Sequence, residues 1–256
     1  MAPAKYTHPD IRLVADPADL YRQGAEEFVR VAAAAARTHG RFSVALSGGS
    51  TPKGLYQLLA EDDGIRSRVP WPQSYFFWTD ERFVPPDRSE SNCRMAFEAL
   101  LSRVPVPPEN IHRIETQVES PEAAAERYTQ TLQDFFQPPA GQFPRFDLIL
   151  LGMGADGHTA SLFPGSDLVR ERSRWVAAEW VKKLGMHRIT LTPPVLNSAA
   201  CATFLISGPE KAEALREVLQ GEYHPERSPA QVIRPRDGRL VWMIDQAAAG
   251  RLAPIR

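Results

Sequence analysis

Apolar positions along the chain come in short unbroken runs bounded by turn-forming residues, and most runs are followed by a stretch in which they recur at helical spacing. Runs at 11–15, 42–46, 75–78, 146–151, 202–206 and 240–244 have the length and continuity of strands buried on both faces. Helical periodicity appears near 17–37, 52–61, 89–101, 120–136 and 209–219. The alternation predicts an α/β fold, a mostly parallel sheet flanked by helices on both faces. Segments 174–180 and 187–192 suit an additional hairpin or edge. Proline clusters at 105–108, 138–144 and 193–194 read as connectors, and no internal repeat is present. The alanines of Ala32–Ala36 are plain helix formers within an amphipathic segment that begins near Asp16–Asp19.

Chemistry concentrates where three of these runs end. After Leu148–Leu151 comes LGMGADGHTASLFPG, Leu151 to Gly165, a glycine-lined turn carrying Asp156 and His158. Ligands of open α/β sheets bind beyond the carboxyl ends of the strands, where this turn would lie. The same residues also suit an ordinary cap or a solvated loop. After 42–46 comes SGGSTP, Ser47 to Pro52, opening a helix with Leu55, Leu58 and Leu59 on one face. Unpaired N–H groups and the dipole at such a helix start, with the Ser47, Ser50 and Thr51 hydroxyls beside Gly48 and Gly49, form a site for an anion such as phosphate. Neither a Walker loop nor a GxGxxG fingerprint is present. After Tyr75–Trp78 comes Thr79-Asp80-Glu81-Arg82. Arg82 offers a planar fork for a phosphate and Asp80 a carboxylate able to orient a base; the bland alternative is a surface salt bridge. Asn92 and Arg94, near the start of the following helix, read as packing or capping residues.

Composition narrows the partners. The formal net charge is −1, with no long cationic run, so neither a nucleic-acid nor a membrane surface is expected. With 256 residues, 43% hydrophobic and 24% charged, the chain is long enough for one Rossmann-like domain spanning 1–256. Cys93 and Cys201 are isolated thiols in a chain without an apparent secretory or transmembrane segment, which points to a cytoplasmic protein without a disulfide. The histidines other than His158, at 8, 39, 112, 187 and 224, show no metal-ligand spacing and read as structural or surface residues; no metal is expected.

In their order along the chain, SGGSTP, TDER after an aromatic strand, GMGADGHTASLFPG, Arg188-Ile189-Thr190-Leu191-Thr192, SGPEKA at Ser207–Ala212 and the closing QVIRP…LVWMIDQAAA resemble the 6-phosphogluconolactonase family, within a superfamily that also holds glucosamine-6-phosphate deaminases. The deaminase branch usually continues from its DGH core with an Asn-Glu-Pro element. Here Thr159-Ala160-Ser161-Leu162-Phe163-Pro164-Gly165 follows, as in the lactonase branch. One segment departs from the pattern: Lys182-Lys183-Leu184-Gly185-Met186 stands where lactonases often have a proline-rich loop.

The resemblance implies hydrolysis of 6-phospho-D-glucono-1,5-lactone, a small sugar phosphate lactone, to 6-phosphogluconate in the oxidative pentose phosphate route, without a cofactor. His158 would be the general base, since an imidazole titrating near pH 6.5 can take a proton from water and return it to the leaving oxygen. Asp156 would fix its tautomer, Asp80 would orient the water or base, Arg82 would hold the phosphate, and Ser47–Thr51 would cradle that phosphate or the sugar hydroxyls. Arg188 and Lys211 match motif positions and would add positive charge. Two other readings are an isomerase or deaminase of amino-sugar phosphates, and a non-catalytic sugar-phosphate sensor, for which the amino end leaves no room for a DNA-binding helix pair. Oligomeric state is not legible in the sequence.

Overall fold

The computed structural model describes residues 9–254; His8 lies outside the described residues. In chain order the elements are β1 (Asp10–Val14), α1 (Pro17–His39), β2 (Phe42–Leu46), α2 (Ser50–Glu61), α3 (Asp63–Arg66), β3 (Ser74–Trp78), β4 (Asp80–Arg82), α4 (Asn92–Ala96), α5 (Pro121–Phe136), β5 (Leu148–Leu151), β6 (Val176–Val181), β7 (Met186–Leu191), α6 (Pro193–Leu196), β8 (Cys201–Ile206), α7 (Ala212–Gln220) and β9 (Arg239–Asp245). The six expected strands pair in the order β1-β9-β8-β5-β2-β3, every pair parallel. Every residue of β2, β5 and β8 is buried, which is why these segments are unbroken apolar runs rather than alternating ones.

Local chemistry sets the element ends. Asp16 caps α1 by accepting the Asp19 N–H at 2.9 Å, Pro17 occupies the first turn, and Gly40 ends the helix at φ 79° with its N–H on the Ala36 carbonyl. Helices α1 and α2 pack on each other, α1 also against β2 and β9, and α5 lies against β6 and β7. Phe204 of β8 stacks on Trp242 of β9 with ring centroids 3.8 Å apart, and Phe77, Phe135, Phe136 and Phe146 form an edge-to-face cluster. Each such ring contributes about 1.5–3 kcal/mol by leaving water.

Three expectations shift. The segment expected as a hairpin or edge is a hairpin, β6 against β7, but it gains a third strand: Asp80–Arg82, read from the sequence as a strand exit, pairs antiparallel with β7 (Asp80 opposite Thr190, Arg82 opposite Arg188). The helix expected over 89–101 starts at Asn92, where the Ser91 hydroxyl accepts the Arg94 N–H at 3.1 Å, and finishes as a wider π turn over Phe97–Leu101. Pro209–Lys211 is a separate 3-10 turn, so the helix expected over 209–219 runs from Ala212 to Gln220.

The parallel sheet reverses direction of progression between β5 and β2: β3 lies to one side of β2, while β8, β9 and β1 continue on the other side of β5. Loops leaving these two strands must part there, opening a crevice at the carboxyl edge.

Candidate active site

A cleft of about 660 Å³ occupies that crevice. Its walls come from the exits of four contiguous strands: Ser47–Pro52 after β2, Asp80 and Arg82 after β3, Gly152, Met153 and Ala160 after β5, and Ser207 and Lys211 after β8. Of the residues singled out from the sequence, Ser47, Gly48, Gly49, Ser50, Thr51, Asp80, Arg82 and Lys211 line this one cavity. Asp156, His158 and Arg188 do not. The first two sit on the same loop as Gly152 and Ala160, and Arg188 stands behind Asp80 with its Nη1 3.9 Å from Asp80 Oδ2.

One wall presents an uncapped helix start. Helix α2 begins at Ser50 without any side-chain cap, so its first N–H groups have no partner from a capping side chain. The peptide just before it is fixed by Tyr56, whose buried hydroxyl donates to the Ser47 carbonyl and accepts the Ser47 N–H, both at 3.0 Å. Tyr128 does the same for Trp78 at the end of β3, accepting its N–H at 2.8 Å and donating to its carbonyl at 3.0 Å. Ser47 Oγ, Arg82 Nε, Asn92 Oδ1 and Arg188 Nε are buried and have no hydrogen-bond partner in the protein. Three of those four residues line the cleft. Buried polar atoms are normally paired, because each one left alone costs about 1–3 kcal/mol, so their convergence marks a place for a polar ligand.

Asn92, read from the sequence as a packing or capping residue, lines the cleft. Its Nδ2 donates to the Asp80 carbonyl at 2.9 Å, and it sits so close to Gly48 that a Cβ there would lie 1.8 Å from Asn92 Oδ1. Glu81, to which the sequence assigns no role, is what places it. The Glu81 carboxylate is 2% exposed and accepts the N–H groups of Asn92 (2.7 Å), Cys93 (2.8 Å) and Arg82 (2.7 Å) and the Ser91 hydroxyl (2.9 Å). Burial pushes its pKa up against these donors. Asp80 is buried too; its Oδ2 accepts the Ser161 hydroxyl at 2.6 Å and its Oδ1 is 3.3 Å from Asn92 Nδ2. It therefore joins the TDER strand, the helix start at Asn92 and the β5 exit loop, and is no surface ion pair. Burial lowers the pKa of Arg188, although Asp80 opposes the shift.

The loop that leaves β5 carries the acid and the imidazole. His158 Nδ1 is 2.5 Å from Asp156 Oδ1, and the ring stacks on Phe163 with centroids 4.4 Å apart. An ionised carboxylate only accepts, so Nδ1 carries a proton, and in the neutral form of the ring Nε2 is the acceptor. Asp156 lies well below the usual carboxylate range, chiefly through that hydrogen bond; burial opposes it, and Lys183 adds to it from 3.1 Å. A Cβ on Gly154 would stand 2.1 Å from His158 Nδ1, so only glycine leaves room for the pair. Thr159 Oγ1 donates to the Gly152 carbonyl at 2.8 Å, and Gly154 N–H to the His158 carbonyl at 2.9 Å, closing the turn. Among the described residues no group of three or more His, Cys, Asp or Glu side chains could hold a metal ion, and no helix is long and apolar enough to cross a membrane.

A family model for glucosamine-6-phosphate isomerases/6-phosphogluconolactonase matches residues 15–242, which takes in every strand exit just described. The chain belongs to this family. Among its relatives, a Synechocystis protein named 6-phosphogluconolactonase is 44% identical over 215 residues, 84% of this chain and 86% of that one. A rat protein of the same name is 39% identical over 229 residues, 88% and 86% of the two chains. The solved structure of 6-phosphogluconolactonase from Trypanosoma cruzi superposes with a TM-score of 0.83 at 29% identity, covering 98% of this chain and all of that one. The mostly parallel sheet is thus shared with a solved structure of the family.

Proposed function

We propose that this family member hydrolyses 6-phospho-D-glucono-1,5-lactone to 6-phosphogluconate in the oxidative pentose phosphate route, with His158 as general base. The observation that carries the reading is a shared loop: the cleft holds an uncapped helix start with partnerless buried polar atoms, and the β5 exit loop that gives it Gly152, Met153 and Ala160 also carries a histidine whose Nδ1 is committed to a carboxylate. The first suits a phosphate and sugar hydroxyls. The second suits ester cleavage.

In the proposed reaction the N–H groups of Gly49–Thr51, with Arg82 and Lys211, hold the 6-phosphate. His158 Nε2 takes a proton from water as the water oxygen bonds to the lactone carbonyl carbon. The carbonyl electrons move onto oxygen, giving a tetrahedral oxyanion, while Asp156 stabilises the imidazolium through Nδ1. When the oxyanion collapses, the bond to the ring oxygen breaks, and His158 returns the proton to that oxygen, which becomes the hydroxyl of 6-phosphogluconate. The new carboxylic acid then loses its own proton to solvent. Asp80 orients Asn92, Ser161 and Arg188 around the sugar from its buried position. General acid–base catalysis of this kind contributes about 10²–10⁴-fold.

The test supplies fresh lactone and, separately, glucosamine 6-phosphate. Lactone opening well above the enzyme-free rate with no ammonia release is expected. Ammonia release from the amino sugar would replace the reading with deamination, and tight lactone binding at the spontaneous opening rate would make the protein a sensor.

A further inference from the structure

The β6–β7 hairpin meets the β5 exit loop near its base and at its tip. Near its base, Thr190 Oγ1 accepts the Ser161 N–H at 3.2 Å. At its tip, Lys183 Nζ donates to Asp156 Oδ2 at 3.1 Å, while the other oxygen of the same carboxylate takes His158 Nδ1 at 2.5 Å. Asp156 is thus gripped through both oxygens by groups that lie 25 residues apart in sequence, His158 and Lys183. The tip that presents the lysine is a closed turn: the N–H groups of Leu184 and Gly185 both reach the Val181 carbonyl at 3.0 Å, with Gly185 at φ 61°.

Stability does not explain the contact. The Lys183 side chain is 71% exposed, and exposed ion pairs add between nothing and about 1 kcal/mol to folding. Chemistry does. The two other hydrogen bonds to Asp156, from His158 Nδ1 and from the His158 N–H at 3.3 Å, both fall on Oδ1, which leaves the carboxylate free to turn about that oxygen and carry the imidazole with it; an anchor on Oδ2 from a different element removes that freedom. The ammonium also offsets the negative charge that draws a proton onto the ring. Other charges nearby come from several elements: Lys182 and Glu179 of the hairpin share a groove with Asp156, Asp80 and Arg188 stand behind Ser161, and Glu226, paired with Arg170, belongs to the segment that receives the Gly165 N–H.

We propose that Lys183 is a positioning residue: from the hairpin tip it anchors the second oxygen of the Asp156 carboxylate and so holds the His158 ring in place for proton transfer. The inference rests on the lactonase reading with His158 as base.

The test compares Lys183→Met, which keeps length and loses charge, with Lys183→Arg, and runs His158→Ala alongside, all by lactone turnover across pH with the enzyme-free rate subtracted. In Lys183→Met, kcat is expected to fall roughly 3- to 10-fold with KM within twofold. The acid limb of its kcat profile is expected to move up by about half a pH unit, the size of one screened charge at this range. Lys183→Arg is expected to restore both. An unchanged kcat and pH profile in Lys183→Met overturns the proposal, and so does a raised KM at unchanged kcat, which would make the lysine a substrate ligand. If His158→Ala keeps its turnover, the base reading falls and this inference with it; if His158→Ala is inactive while Lys183→Met behaves as wild type, only the role of Lys183 falls.

Discussion

Alanine at position 154 would add a single carbon 2.1 Å from His158 Nδ1, 2.2 Å from its Cε1 and 2.6 Å from Asp156 Oδ1. Ordinary contact for a Cβ begins at 3.4 Å, so the ring must retreat by about 1.3 Å, more than half the length of its bond to Asp156. Backbone strain is not the issue, because Gly154 is not among the residues with positive φ. No charged or polar group is removed. Displacing a reacting group by about 1 Å costs on the order of 10²-fold in rate, so kcat of Gly154→Ala should fall by about that factor while KM for the lactone, which the proposal assigns to Ser47–Thr51, Arg82 and Lys211, stays within about threefold. The assay is proton release from fresh lactone, corrected for spontaneous opening, on protein whose circular dichroism and melting temperature match wild type. A folded Gly154→Ala protein with kcat within twofold of wild type would refute the claim that the His158–Asp156 geometry drives the reaction.

Arg82→Ala should raise KM roughly 10- to 150-fold with kcat nearly kept, the equivalent of about 1.5–3 kcal/mol for a hydrogen bond to a charged group; a fall in kcat at constant KM would instead mean that Arg82 stabilises charge in the transition state. Away from the site, Glu27 is only 4% exposed, and hydrogen bonds from Arg30 and Arg239 outweigh its burial and bring its pKa to about 2. A folded-state value below the unfolded one gives stability that is complete above the unfolded pKa and is lost as pH falls through about 2. The drop from 4.5 to about 2 converts to a little over 3 kcal/mol, an upper figure because Arg12, Arg30 and Arg239 are 31%, 54% and 42% exposed. Glu27→Gln should therefore destabilise by about 2 kcal/mol at pH 7 in urea titrations and by almost nothing near pH 2; a constant penalty at both pH values would show a packing effect instead.

Strands buried on both faces are the easiest elements to see in a sequence, since no polar residue interrupts them, and all six of the parallel sheet fall within two residues of the expected bounds. That Ser47–Thr51 come together in the cleft was legible for a related reason: they are consecutive, so the local chain fixes their relation. Asp80–Arg82 as a strand was not legible, because three residues are too few to show a period and their pairing partner lies about 110 residues away at Arg188–Thr190. The contacts that set the roles of Asp80 and Asp156 have the same character. Ser161 meets Asp80 across 81 positions, and Lys183 meets Asp156 across 27. Glu81 and Asn92 left a faint trace, a carboxylate and a serine–asparagine pair at a helix start, but Glu81 caps that helix from another strand and no spacing rule reaches it. The choice of lactone over amino sugar came from TASLFPG by resemblance, and the Ser161–Asp80 bond gives part of that segment a structural task.

The central claim is that His158 moves the proton, and it is tested most directly by turnover of fresh 6-phosphogluconolactone with His158→Ala at pH 7, the spontaneous rate subtracted. The variant is expected to bind the lactone within severalfold of wild type and to lose 10²–10⁴-fold in kcat, about what general acid–base catalysis supplies. Turnover within severalfold of wild type would contradict the account and move the base to another group.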